Sequence, residues 1–214
     1  GFISKVFEKE GVEVTSNGTF IQGIIGIGRE RKGVIKVFDN KSDISVDNID
    51  ETFIDKVLVT NSYLSYDVYK RANELGIAGI VCGSIDYATL TKILGYPLGV
   101  AITGTEDVTT VIVTDGFGKI SMAPKTYELF LRNNNKFSSL NGATQIRAGV
   151  MRPEIFIGSG TTPSNESSFS EESLVISIGS SVRVIREPYF GQIGIVSSLP
   201  AKPNQMKTET MARV

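Results

Sequence analysis

Residues 55–141 carry a repeated strand–helix–strand rhythm, and this rhythm constrains the fold more than any other feature of the chain. Lys56-Val57-Leu58-Val59-Thr60 is a short apolar run of the buried-strand type. Ser65 can cap a helix running to Leu75, with Val68, Ala72 and Leu75 spaced for one apolar face and Gly76 to end it. Ala78-Gly79-Ile80-Val81-Cys82 is the next strand. Strand, helix and strand within about thirty residues predict a βαβ unit with parallel strands and a right-handed crossover. Asp86 then caps a helix to Leu94, ended by Gly95. Strands follow at Leu98–Ile102 and Thr110–Val113, then a helix from Pro124 to Arg132 and a strand at Phe137–Leu140. The expected fold class is therefore α/β, a parallel sheet of βαβ units.

The flanks read differently. Residues 1–40 form a β-rich lead-in: Gly11-Val12-Glu13-Val14-Thr15 alternates, Ser16-Asn17-Gly18 is a turn signal, and Val34–Phe38 is another strand. This stretch has too few strands to close a core alone, so it is expected to pack on the α/β domain or on a symmetry mate. Residues 39–52 are polar and acidic and read as a loop. The α/β domain is placed at 55–157, a Gly/Ser/Thr/Pro linker at 158–173 and a second β region at 174–214.

The absence of histidine restricts the chemistry. It excludes His-based triads and a His general base, and the single Cys82 cannot build structural zinc or an intrachain disulfide. Any reaction would run on carboxylates, Lys, Tyr or a bound cofactor. No cofactor is expected, although carboxylate-held magnesium remains open. One cysteine, no apolar run of transmembrane length and no signal-peptide pattern at Gly1-Phe2-Ile3-Ser4-Lys5 lead to a cytoplasmic expectation without membrane contact. Gly1 reads as a tag remnant or the cut end of a longer chain.

The glycines Gly23, Gly26, Gly28 and Gly33 do not make a dinucleotide fingerprint. Arg31 stands where the third glycine belongs, and a strand follows where a helix is required. In a parallel sheet the loops after the strands gather at one edge, where such sheets bind ligands. The candidate ligand-binding residues there are Asn61, Ser84, Asp86, Thr103, Glu106 and Asp115, of which Asp86, Glu106 and Asp115 could act as acid, base or magnesium ligands. Turns and helix caps call for the same residue types. Arg147 and Arg152, without a nearby acid in sequence, could meet an anion or a partner, and a salt bridge to an acidic loop is an equal reading.

The tail from Ile178 to Val196 resembles the KOW motif. Val182 and Val184 alternate with Arg183, a turn lies at Glu187-Pro188-Tyr189-Phe190, and Gly191, Gly194 and Val196 follow. The resemblance implies a small SH3-like barrel of the kind found in NusG-type transcription factors and ribosomal proteins, where it binds RNA or protein. The candidate contacts there are Arg183, Arg186, Tyr189 and Phe190. From Leu174 onward the net charge is +3, a mild bias for an RNA surface. Val182, Val184, Ile193 and Val196 are expected inside the barrel, and at least one of Tyr189 and Phe190 outside it.

More broadly, Gly11–Val14 with Phe20–Gly28, Gly99–Glu106 and Asn141–Gly149 resemble a bacterial family in which a lipoyl-like β-domain precedes an α/β domain and a KOW-like tail. The resemblance implies architecture and no chemistry, and it places the lipoyl-like part upstream of Gly1. The favoured function is a non-catalytic interaction or scaffold module of a larger intracellular protein, binding a protein partner or itself. The alternatives are a small-molecule or nucleotide enzyme domain using the edge carboxylates, and an RNA-associated factor acting through the tail.

Overall fold

In the computed structural model, residues 1–38, 43–97, 101–102, 104–145, 151–160, 176–184, 189, 192–199, 204–205 and 211–212 are described. The chain divides into two units, Gly1–Pro163 and Ser164–Val214. In the first unit the strands are β1 (Phe2–Phe7), β2 (Gly11–Thr15), β3 (Gly18–Gln22), β4 (Ile25–Ile27), β5 (Arg31–Phe38), β6 (Lys56–Thr60), β7 (Gly79–Ile85), β8 (Ala101–Ile102), β9 (Thr110–Phe117), β10 (Phe137–Asn141), β11 (Thr144–Gln145) and β12 (Glu154–Gly158). The helices are α1 (Tyr66–Leu75), α2 (Tyr87–Leu94) and α3 (Pro124–Arg132).

The α/β parallel expectation is corrected. Among the described residues strand outweighs helix, 41% against 20%, and the main sheet is mixed and largely antiparallel. Its order is β3-β12-β10-β5-β6-β7-β9-β4. Pairing is parallel from β5 through β6 and β7 to β9, and antiparallel at β3–β12, β12–β10, β10–β5 and β9–β4. The lead-in is therefore no separate piece, since β3, β4 and β5 are strands of this sheet. Leu98–Ile102 is not a strand of it either: Ala101–Ile102 pairs with β11 in a separate two-stranded ladder, and 98–100 lie outside the described residues.

The strand order also shows that the sheet curls. β3 and β4 stand at its two ends, yet only Gly23 and Ile24 separate them. Three Cα steps reach about 11 Å, whereas seven strand spacings in a flat sheet span about 34 Å. The ends therefore meet, with β3–β4 as one bent strand. Gly23 N donates to Pro153 O at 2.9 Å on one side, and Ile24 N to Val113 O at 2.8 Å on the other. Gly23 is required at the bend: a Cβ there would lie 2.7 Å from Ile112 and 2.8 Å from the Val113 carbonyl. The Arg152 guanidinium donates to Ile24 O at 2.8 Å, so this arginine holds the bend.

Alternation then sorts the apolar residues into two layers. Ile21, Ile35, Val57, Val59, Val81, Ile112, Leu140, Ile155 and Ile157 line the inner face with Met122 and Phe130, while Leu58, Ile80, Cys82, Val111 and Val113 face outward under α1 and α2. The sequence cues for the helices act as read. Ser65 Oγ accepts from Val68 N, Asp86 caps α2, Gly76 and Gly95 end α1 and α2 in the left-handed region, and Pro124 starts α3.

In the second unit, β13 (Ser181–Arg183) pairs with β14 (Ile193–Ile195), and β15 (Asn204–Gln205) with β16 (Met211–Ala212). Among the described residues these are two separate two-stranded ladders, not a closed SH3-like barrel. Val182, Val184 and Val196 are half-buried, but Ile193 is exposed because β14 sets it on the same face as the exposed Ile195.

Candidate functional site

The carboxyl ends of β6, β7 and β9 bring Asn61, Ser84, Asp86 and Asp115 to one end of the sheet, and the protein uses these groups itself. Residues 120–123 run across this end. Met122 N donates to Asn61 O at 2.8 Å, Ile120 N to Ser84 Oγ at 3.0 Å, and Ala123 N to Asp115 Oδ2 at 3.1 Å. Asp115 Oδ2 also accepts from Thr114 Oγ1 at 2.6 Å. Ser84 is fully buried and Asp115 is 4% exposed, so neither can meet a ligand without displacing that segment. Gly83 makes room for it: a Cβ there would stand 2.5 Å from Met122 N.

Asp86 is held as a helix cap. Its carboxylate accepts from Thr89 N at 2.5 Å, from Thr89 Oγ1 at 3.1 Å and from the Tyr63 hydroxyl. The Tyr63 hydrogen bond, then the Thr89 backbone, hold its pKa below the usual carboxylate range, while burial and the Asp86 contact push the Tyr63 phenol up. A carboxyl so engaged is a poor general base. Cys82 is buried beneath, its thiol pushed up by burial and then by the Asp115 charge, which leaves it without reactive thiolate. Asn61 Oδ1 is buried without a hydrogen-bond partner among the described residues.

Glu106 does not join this group. It precedes β9, beside Asp107, whose carboxylate meets Arg29 at 3.6 Å, and so lies at the amino end of the parallel strands. Placing Leu98–Ile102 in the parallel sheet had put its exit loop at the wrong end. Thr103 and Arg147 lie outside the described residues. Among the described residues there is no group of three or more His, Cys, Asp or Glu able to hold a metal ion, and no helix is long and apolar enough to cross a membrane. In the tail, Tyr189 is 60% exposed and Arg183 sits in β13 opposite Ile193. Arg186 and Phe190 lie outside the described residues.

The surfaces left open are elsewhere. A cleft of about 730 Å³ at the amino end of the parallel strands is lined by Arg31, Lys32, Asp55, Asn73, Asp107 and Phe137, among others. Its charges are of both signs. A groove of about 420 Å³ is lined by Phe2, Phe137, Phe156 and Gly158, among others. In the β1–β2 hairpin every strand residue but Thr15 is exposed. Phe2, Ile3, Val6, Phe7, Val12 and Val14 are 39–69% exposed. The alternation at 11–15 signalled a strand, and nothing in it signalled that both faces would be open. Compared with protein-family models, with curated proteins and with solved structures, the chain matches none.

Proposed function

We propose that this chain is a non-catalytic interaction module of a larger intracellular protein, working in the reducing cytoplasm without a cofactor. One observation carries the reading: Ser84, Asp86 and Asp115 at the carboxyl end of the parallel strands are engaged by residues 120–123 and by α2, while the β1–β2 hairpin leaves six large apolar side chains exposed. Engaged carboxylates leave little for chemistry, and exposed contiguous apolar residues mark binding surfaces. Two observations favour the cytoplasm: the one cysteine is buried, and it has no partner for a disulfide.

A photo-crosslinking residue at Val12, in the native cell, tests this, with Lys125 on α3 as the control position. A polypeptide adduct at 12 and not at 125 is expected; no polypeptide adduct at 12 contradicts the reading. Screening with nucleotides and magnesium should leave the melting temperature unchanged, and a saturable shift lost in Asp115→Asn would favour an enzyme.

A second reading, RNA contact through the tail, draws on the exposed Tyr189. Arg183→Ala with Arg186→Ala should then weaken RNA binding and flatten its salt dependence. Equal binding in the double variant would remove this reading.

A further inference from the structure

We infer that the outer side of the antiparallel half of the sheet is a platform for single-stranded nucleic acid, with Phe20, Phe137 and Phe156 stacking on bases and Lys32 and Lys56 meeting phosphates. This surface lies outside both the hairpin strands and the tail on which the readings above rest.

Register fixes what that side carries. Directly opposed residues project to the same side, and successive residues alternate. Ile35, Leu140, Ile155 and Ile21 take inner positions on β5, β10, β12 and β3 and are buried. The outer positions fall into two rows. Lys32 opposes Ser139, Ser139 opposes Phe156, and Phe156 opposes Phe20. Lys56 stands beside Val34, which opposes Phe137. Each row runs from a lysine to an aromatic ring, and neither holds a carboxylate. Glu154, opposite Gln22, belongs to the next row. Lys36, on the same side, is taken up by the Phe53 ring, 4.2 Å from its centre.

An antiparallel sheet with one face in the core ordinarily shows polar residues on the other. Here Phe20 and Phe137 are 54% and 58% exposed, with Lys32 and Ser139 exposed beside them. Gly18 sets the attitude of the third ring. A Cβ there would lie 2.8 Å from Phe156 Cζ and 2.9 Å from its Cε2, so the ring lies down over the glycine and turns one face outward. The groove along Phe137 and Phe156 and the larger cleft beside Lys32 both include Phe137 and Ser139, so rings and lysine line one continuous trough.

Rings and lysines together select the occupant. A single strand offers planar bases to the rings and phosphates to the ammonium groups, and base–aromatic stacking tolerates any sequence. A duplex keeps its bases stacked inside, and an acidic peptide has no row of planar groups to lay on three rings. Lys32 and Lys56 have no ion pair among the described residues, which leaves both for phosphate. Glu30, Asp55 and Asp107 also line the cleft. They confine the site to those two lysines and about two or three bases, so binding should be weak.

Fluorescence anisotropy of labelled oligothymidylate and oligouridylate, each about ten nucleotides long, against the whole chain at about 50 mM salt tests this. Saturable binding of at least one strand is expected, and the preferred one separates DNA from RNA. It should be roughly tenfold weaker, or more, in Phe20→Leu/Phe137→Leu. Leucine keeps the apolar surface and removes the ring, so a contact that is only apolar would not register the change. Lys32→Ser should lower the salt slope by about 0.7, one phosphate contact on a single strand. Arg183→Ala/Arg186→Ala should bind as the parent does. Melting temperatures should match the parent's, because the altered side chains of the platform are exposed. No binding up to about 100 μM protein, equal binding in the leucine variant, or equal binding of a duplex of the same length overturns the inference. Loss in the arginine variant alone assigns the strand to the tail and overturns it as well. If no strand binds while a crosslinker at Phe137 captures a polypeptide in the native cell, this face is a protein surface and the inference falls. The interaction reading tested at Val12 stands or falls separately.

Discussion

Val57 and Val59 in β6 and Val12 and Val14 in β2 are the same residue at the same alternation, yet the first two are fully buried and the second two are 51% and 59% exposed. Composition does not separate them; the layers around them do. β6 has strand neighbours on both sides, and the curled sheet with Met122 and Phe130 closes over its inner face. Among the described residues, the strands of the hairpin pair only with each other and no layer lies over its aliphatic face. A valine in a strand is core only when the fold supplies a second surface, and the described residues supply none over the hairpin.

The largest expected effect lies on the buried side of this comparison. Phe130 is fully buried and fills the inner core with Val57, Val59 and Ile155. Phe130→Ala should cost about 3–5 kcal/mol in denaturant unfolding. A loss below about 1 kcal/mol would mean that α3 contributes little to the core.

Next comes the closed carboxyl end. Gly83→Ala drives a Cβ to within 2.5 Å of Met122 N and 2.8 Å of Asn61 O. It should cost about 1–3 kcal/mol and loosen residues 120–123, seen as faster amide exchange at Met122 and Ala123. Unchanged exchange would show that this segment is not anchored there.

Asp86 gives a smaller effect. Removing the cap in Asp86→Ala should cost about 1 kcal/mol. Because its folded pKa is depressed, Asp86 contributes stability that is fully present above the unfolded value of about 3.9 and is lost as pH falls through the folded value. Urea midpoints between about pH 5 and pH 2 should fall less steeply in Asp86→Asn, which keeps the cap and removes the charge. Equal slopes would contradict the assignment.

Smallest is the hairpin itself. Val12→Ala should change monomer stability by no more than about 0.5 kcal/mol. A large loss would mean that Val12 already packs within the chain, and the contrast with Val57 would collapse.

Local signals were legible and long-range pairings were not. Ser65, Asp86, Pro124, Gly76 and Gly95 set the helix ends because caps act within one turn. The strand at 56–60 was legible from its apolar run. Its relation to β3, β10 and β12 was not, because alternation marks a strand without naming its neighbour. Glu154–Gly158 was missed for that reason, and with it the antiparallel half of the sheet. Of the candidate residues, Asn61, Ser84, Asp86 and Asp115 share an end because the parallel pairings of β6, β7 and β9 place their exits together, whereas Glu106 follows a strand that leaves the sheet. That the gathered groups serve the protein's own turns was the second meaning those residue types always carried. The role of Gly23 at a bend between two distant strands required the fold.

The central claim is that the hairpin's aliphatic face stays open until another molecule covers it. Amide hydrogen exchange of Phe2–Thr15, measured on the whole chain at low and at high concentration with Lys56–Thr60 as the internal reference, tests it most directly. Protection in the hairpin should rise with concentration while that of β6 stays constant. Hairpin protection already equal to that of β6 in the dilute protein, and unchanged on concentration, would contradict it.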